Sequence, residues 1–584
     1  MDVWKLITIT SSDLIDIEQH FKITAGPGAG KTHWLVNHIE NTVKNSLRLE
    51  KTRKIACITY TNVAVETILN RLGAGVSDRV EVSTIHSFLY KHVVKPYLHY
   101  LSDEFEINIS KVNGHDTFSP RYSIVKTWLE NHKRVHELIH PNTYKQLLFG
   151  EKLDSLFNWL NNLQYKYDLD GNLKLVGNPE KTGSIRKVSH ILEDDLISYK
   201  ESFWSLGKID HDDVLFFSYL LITRQPFILN VLRAKFPYFF LDEVQDTNPI
   251  QAKIIKSIAR KETVVGVIGD PAQSIFSFQG ASIAEFVNFK LENMVEYEIL
   301  ENRRSSNQII DLLNKVRRDI VQSKYKNIDG KQSILFIGET IDAYKKVMEL
   351  CGEESLIYTL SRDNPTANAM KSLVSLNGID TKLLTKFKEA DSNKERLGII
   401  VNSIEAVEFA RIGDYKNALE KMKVLFPECS EKGRVNNSIR LLQELLTKYD
   451  SYNETALMEF YKVIKLHIPM SAFRAGEAKV FYDGTTYTRL AICINYKEDT
   501  SQHRTIHKAK GDEFENVLLI PSSLDFLLTP DLENEEDRVY YVGLSRAINR
   551  LYIVFPKLTK KNQKLIEEQY NIKVEDLTKV PQLN

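Results

Sequence analysis

Residues 23–32 read ITAGPGAGKT: a short apolar strand, a glycine-rich turn, then Lys31 and Thr32 opening the helical pattern HWLVNHIENTV. No other stretch restricts the fold so tightly. Gly26, Gly28 and Gly30 let the backbone curl closely and turn its N–H groups inward. The helix that follows brings the positive end of its dipole to the same place. A nest of this kind suits a triphosphate. Ala25, Gly26, Pro27, Gly28, Ala29 and Gly30 would wrap it, Lys31 would reach the β- and γ-phosphates, and the Thr32 hydroxyl would bind Mg²⁺. The plainer alternative is a glycine-rich turn that happens to precede Lys-Thr; the strand before it and the helix after it speak against that.

The same strand–loop–helix rhythm recurs. Short apolar, β-rich runs occur at 21–24, 54–59, 79–83, 238–241, 264–269, 517–520 and 551–555, several leading through Gly- or Asp-containing turns into helical patterns. Buried parallel strands read this way, and functional loops in such sheets lie at their C-terminal ends. The expected fold class is therefore α/β. Two stretches break the rhythm, from about 91 to 207 (TWLENHKRVHELI, LFNWLNNLQYKY) and from about 388 to 478 (VEFARIGDYKNALEKMKVL, SIRLLQELLTKY). Their apolar residues fall at helical spacing, so each is expected to be a helical insertion in an α/β lobe. The first lobe is then assigned to 1–90 and 208–285, and the second to 286–387 and 479–584. The 584 residues leave room for three or four domains of roughly 150 residues. Residues 44–54 read as a solvated helix end and loop.

A second chemical feature lies at 236–248, FPYFFLDEVQDTN, where an apolar strand delivers Asp242 and Glu243 at its end. Phosphoryl transfer needs a carboxylate on the metal and a group to orient the attacking water. Asp242 suits the first role and Glu243 the second, as general base. Alone, Asp-Glu after a strand is often a solvated turn; the phosphate loop upstream shifts the reading towards catalysis.

Lys+Arg and Asp+Glu both total 77, so the formal charge is zero. A static, sequence-independent coat for nucleic acid is more often basic overall, whereas a neutral chain can confine positive charge to one groove. Cys57, Cys351, Cys429 and Cys493 lie far apart, which excludes a CxxC-type metal site by spacing and argues against a disulfide scaffold. Acids appear early at the N-terminus with no signal-like apolar core, and no run approaches a membrane span. A cytoplasmic protein with no membrane partner is expected.

DEVQD, with Gln245 and Asp246, resembles the DExQD box of superfamily 1 helicases of the UvrD/Rep/PcrA kind. Further boxes follow in that family's order. TYTNVAVETILNRL (59–72) is similar to its TFTNKA-type motif, STIHSF (83–88) to its TxHxF segment, and IDHDDVL (209–215) to its DFDDL segment. GDPAQSIFSFQGA (269–281) is similar to GDxxQSIYxxRGA, ENRRSS (301–306) to QNYRS, TIHKAKGDEF (505–514) to TxHxxKGLEF, and YVGLSRA (541–547) to YVGxTRA. The resemblance implies two RecA-like P-loop NTPase lobes, ATP and Mg²⁺ as cofactors, and a DNA-stimulated ATPase that moves 3′→5′ on single-stranded DNA and unwinds duplex.

It also implies roles for single residues. Arg304 and Arg546 would reach from the second lobe to the γ-phosphate, where a guanidinium contributes roughly 10³–10⁵ in rate; an ordinary surface ion pair is the alternative. Gln273 would sense the γ-phosphate, and Glu513 would lie near the ribose and phosphate end. For DNA, Tyr60, Phe276 and Phe278 are candidate base-stacking platforms, worth roughly 1–3 kcal/mol per base. Thr59, Asn62, His86 and His507 are candidate contacts to backbone or base edges. Core packing is the alternative for each aromatic, but Phe278 stands where the family places a stacking Trp or Tyr.

The chain also departs from the pattern. Gln19, the one upstream glutamine, lies closer to the loop than the family's adenine-reading glutamine. Arg303 replaces the aromatic on which adenine stacks, and Gln279 replaces the arginine usual in WRGA. The second insertion is compact, and the chain runs only to Asn584, leaving no room for a fused nuclease or a folded C-terminal interaction domain. This plan resembles helicase subunits of bacterial antiphage systems such as Gabija, which implies an OLD-type nuclease as partner. The compact insertion equally fits an ATP-gated DNA-binding sensor with little intrinsic unwinding.

Overall fold

The computed structural model describes residues 6–138, 143–260, 262–352, 354–375, 380, 382–473, 476–494 and 501–578. The chain divides into two compact units, Met1–Arg303 with Ile320–Tyr325, and Arg304–Asp319 with Lys326–Asn584.

The first unit is built on a seven-stranded, all-parallel sheet. Its spatial order is Ile7–Ile9, Val295–Ile299, Phe21–Ala25, Val264–Gly269, Tyr238–Leu241, Ile55–Thr59 and Val80–Thr84. Three of its inner strands, Val264–Gly269, Tyr238–Leu241 and Ile55–Thr59, are buried along their whole length because both faces are covered. Alternate residues still separate cleanly. Ile55, Cys57, Tyr238, Phe240, Val264 and Ile268 face a core with Trp34, Leu35 and Ile39 of helix Lys31–Asn45. Ala56, Ile58, Phe239, Leu241, Val265 and Val267 face the other way, into a core shared with Phe217 and with Trp128, Trp159 and Trp204 of the first insertion. That insertion is mostly helical, as expected, with one antiparallel hairpin, Leu163–Tyr167 and Leu173–Gly177. It completes one face of the sheet rather than standing apart from it.

The second unit carries a six-stranded parallel sheet, ordered His503–Thr505, Ile357–Ser361, Phe514–Ile520, Ala547–Phe555, Ile334–Ile337 and Lys573–Asp576. Its helical insertion, including Lys394–Arg411, Glu431–Thr447 and Leu457–Lys465, packs around a core of its own with Phe387, Tyr452, Phe460 and Tyr487.

All seven runs read as strands are strands. The first unit extends beyond residue 285, where its lobe was expected to end. Val295–Ile299 joins the sheet beside the phosphate-loop strand, and its alternating, half-exposed VEYEI does not read as a buried parallel strand. Among the described residues no single helix is long and apolar enough to cross a membrane.

Gly266 sits in the middle of this sheet, where a Cβ would lie 2.0 Å from Phe21 Cζ. Overpacking of this kind costs about 1–3 kcal/mol. Gly266→Ala is therefore expected to lower the urea midpoint of unfolding, with partial recovery in Gly266→Ala/Phe21→Leu. An unchanged midpoint in the single variant would contradict this packing.

Candidate functional site

The phosphate loop leaves the strand Phe21–Ala25 and turns through Gly28 at φ 70° and Gly30 at φ 82°. Both angles lie in the left-handed region that favours glycine. Gly30 caps the helix Lys31–Asn45, and the Lys31 ammonium folds back to donate to the Ala25 carbonyl at 3.3 Å. The loop is held from outside by its own unit. Gln322 Nε2 and Asn302 Nδ2 both donate to the Pro27 carbonyl, at 2.9 and 3.2 Å, and the Arg303 N–H donates to the Gly28 carbonyl at 2.8 Å. Short parallel strands Glu301–Asn302 and Ser323–Lys324 bring these groups together.

Two strands away, Tyr238–Leu241 ends at Asp242, whose carboxylate accepts from Thr32 Oγ1 at 3.5 Å and from the Glu243 N–H at 3.0 Å. Burial first, and then the neighbouring Glu243 charge, push the Asp242 carboxyl up to about 7, against the pull of Lys31. A hydroxyl and a desolvated carboxyl set side by side form an oxygen donor set that fits a hard divalent cation such as Mg²⁺.

Glu243 itself adopts φ 56°, ψ 39°, a left-handed conformation costing a non-glycine residue about 1–3 kcal/mol. The Gln245 amide donates to Glu243 Oε2. Gln245 Oε1 accepts the Asp270 N–H at 3.0 Å, and Asp270 Oδ2 accepts from Gln273 Nε2 at 2.6 Å. The expected base and the expected γ-phosphate sensor are thus joined by one buried chain of hydrogen bonds.

Beyond Gln273 lie the aromatics expected at the DNA. Tyr60 stacks on Phe276 with centroids 5.1 Å apart and donates its hydroxyl to Gln279 Oε1 at 2.6 Å. Phe278 is 63% exposed, with its ring 5.9 Å from that of Phe276. Asn62 is exposed at the start of its helix. Thr59, a candidate contact to backbone or base edges, is 2% exposed, and its buried hydroxyl has no hydrogen-bond partner among the described residues. His86 stands beside His211 and His115, and burial followed by those two rings pushes it down to about 3. It is a neutral hydrogen-bonding group near pH 7, not a cation for phosphate.

In the second unit, Arg304, Arg546 and Glu513 come together. Arg304 Nε donates to Glu513 Oε2 at 2.7 Å and Nη1 to the Ser545 carbonyl at 2.9 Å. Arg546 is buried and donates to the carbonyls of Val542 and Asp512, each at 3.1 Å, and to Ser545 Oγ at 2.9 Å. His507 lies half-buried in the turn after His503–Thr505.

Residues 10–293 match the family model of the UvrD/REP helicase N-terminal domain, and residues 292–557 that of the UvrD-like helicase C-terminal domain. The chain belongs to the UvrD-like helicases. It is 23% identical to the Gabija protein GajB of Bacillus cereus (strain HuB5-5) over 93% of both chains. It is 24% identical to the ATP-dependent DNA helicase PcrA of Bacillus subtilis (strain 168), over 92% of this chain and 80% of that one. The corresponding PcrA of Staphylococcus aureus (strain Mu50 / ATCC 700699) is 23% identical over 91% and 80%. The two parallel-sheet units are the two RecA-like lobes of such a helicase, and the protein is an ATP-hydrolysing DNA helicase.

The motifs did not reveal what steadies the helicase's phosphate loop. Asn302 lies inside ENRRSS yet carries no assigned role there, and Gln322 belongs to no motif; only the fold returns it to Pro27. The departures are also explained locally. The Arg303 guanidinium lies 3.8 Å from the Tyr325 ring centroid, and its Nε donates to Glu301 Oε2 at 2.9 Å. The Gln19 amide is bound elsewhere, to the Asn293 carbonyl at 3.2 Å.

Two outcomes are expected. Gln322→Ala removes one neutral hydrogen bond on Pro27, worth about 0.5–1.5 kcal/mol, so ATP should bind about 2–10-fold more weakly by equilibrium titration. Unchanged binding would mean the loop needs no such brace. With a stacked cation at 303 and Gln19 engaged elsewhere, base discrimination should be modest: kcat/KM for ATP should exceed that for GTP by no more than roughly 10–200-fold. A preference above roughly 10⁴-fold would reveal a base-reading contact.

Proposed function

We propose that this helicase moves 3′→5′ along single-stranded DNA, unwinds duplex ahead of it, and works beside a nuclease of the OLD type in a bacterial antiphage system. The observation that carries the motor reading is the hydrogen-bonded chain from Glu243 through Gln245 and Asp270 to Gln273, close in sequence to the exposed Phe278.

In this reading Lys31 and the loop amides bind the triphosphate, and Thr32 and Asp242 hold Mg²⁺, which supplies charge neutralisation on the phosphates. Glu243 orients the attacking water and takes its proton. Gln273 contacts the γ-phosphate, and Arg304 and Arg546 contribute guanidinium charge to the transferring phosphoryl group. Glu513 would sit near the ribose and phosphate end once Arg304 engages the phosphate. Phe276 and Phe278 stack bases while Asn62, His86 and His507 contact the strand; Thr59 would act through its main chain. The nuclease partner is supported by likeness to the Gabija protein along nearly the whole of both chains.

Strand displacement on duplexes carrying a 3′ or a 5′ single-stranded tail tests the motor. Wild type should open the 3′-tailed substrate with ATP, and a Glu243→Gln variant should lose roughly 10²–10⁴ in ATP turnover. Hydrolysis without displacement on either tail would favour the ATP-gated sensor instead. Arg304→Ala and Arg546→Ala should each lower kcat by roughly 10³ or more; full turnover in both would reduce them to structural ion-pair and carbonyl-binding groups.

A further inference from the structure

We infer that Gln245 is the positioning residue that makes ATP hydrolysis respond to DNA. This rests on Glu243 being the general base, as proposed above, and names what aims it. Gln245 is 0% exposed. A buried amide is tolerated only when its polar atoms are paired, and an apolar side chain of similar shape would fill the space without that requirement. Here each polar group goes to a residue of the site. Nε2 donates to Glu243 Oε2, Oε1 accepts the Asp270 N–H at 3.0 Å, and the main-chain carbonyl accepts Ser274 Oγ at 3.0 Å.

The fit is tight. A Cβ on Gly269 would lie 2.6 Å from Gln245 Oε1, so the strand end keeps a glycine where the amide presses against it. From that strand end the chain runs through Asp270, Gln273 and Ser274 to Phe276, which packs on Tyr60 and Phe278. A base stacking on Phe278 would load this segment. A displacement there reaches Gln245 at two points, the Ser274 hydroxyl and the Asp270 amide, and leaves through one, the Glu243 carboxylate. Glu243 is held in a left-handed backbone conformation, and the Gln245 amide is a hydrogen-bond donor to its carboxylate. The phosphate loop is braced separately by Asn302 and Gln322. Gln245 should therefore affect turnover and not nucleotide capture.

The experiment is steady-state ATPase with and without saturating oligo-dT for wild type, Gln245→Met and Gln245→Glu, alongside Glu243→Gln. Methionine keeps the volume and loses both hydrogen bonds; glutamate keeps an acceptor for Asp270 and turns an acceptor towards Glu243. Both variants are expected to lose at least about tenfold in DNA-stimulated kcat, with KM for ATP within about threefold of wild type, the pattern of an interaction used in turnover alone; the groups left without their partner are expected to lower the melting temperature only modestly. If either variant fails to fold, Ser274→Ala reports on the same link and should reduce DNA stimulation about 2–10-fold. DNA stimulation retained within twofold in Gln245→Met would overturn the inference, as would a parallel loss of KM, kcat and melting temperature, which marks a packing role. Full turnover in Glu243→Gln would instead overturn the base assignment, whatever Gln245 does.

Discussion

A carboxyl group buried at the end of a parallel strand, close to a threonine hydroxyl, sets the terms for everything around it. Asp242 stands 3.5 Å from Thr32 Oγ1, with burial and Glu243 pushing its pKa up to about 7. An uncompensated buried charge is costly, and the cost is relieved by a cation. The sheet makes this geometry unavoidable. The phosphate-loop strand and the acidic strand flank Val264–Gly269 in one parallel sheet, so their carboxyl ends open on the same edge. Loops at that edge are where ligands of such sheets bind.

The third strand of that group is more than a spacer. Its end carries Gly269 and Asp270, and through them the Gln245 amide joins the acidic strand to the segment bearing Gln273 and Phe278. The residues proposed for hydrolysis and for DNA contact are therefore linked by hydrogen bonds within the first unit. The second unit organises its own cations differently. Arg304 is paired with Glu513, and Arg546 is enclosed by main-chain carbonyls, so each guanidinium is held in a fixed direction by its own unit.

What could be read in the sequence was what is local. The glycine turn, the fully apolar strands IACIT, YFFL and VVGVIG, and the order of the motifs gave the α/β class, the sheets and the family, because each is a run of adjacent residues. Contacts between residues distant in the chain were not legible. Gln322 on Pro27, Tyr325 beside Arg303, and Val295–Ile299 beside the phosphate-loop strand depend on where the chain returns, and no short pattern encodes that. Burial at single positions was not legible either: Thr59, a candidate contact to backbone or base edges, closes an entirely buried strand. Arg303 and Gln279 read as losses, whereas each has a partner, Tyr325 and Tyr60 respectively.

In the proposed motor, one triphosphate, held by Lys31 in the first unit's loop, powers the protein. Single-turnover hydrolysis of radiolabelled ATP by wild type and Lys31→Ala, each with excess enzyme and single-stranded DNA, addresses it directly. Rapid phosphate release is expected of the wild type and none above background of the variant, with both proteins melting alike. Equal phosphate release by the two would contradict it.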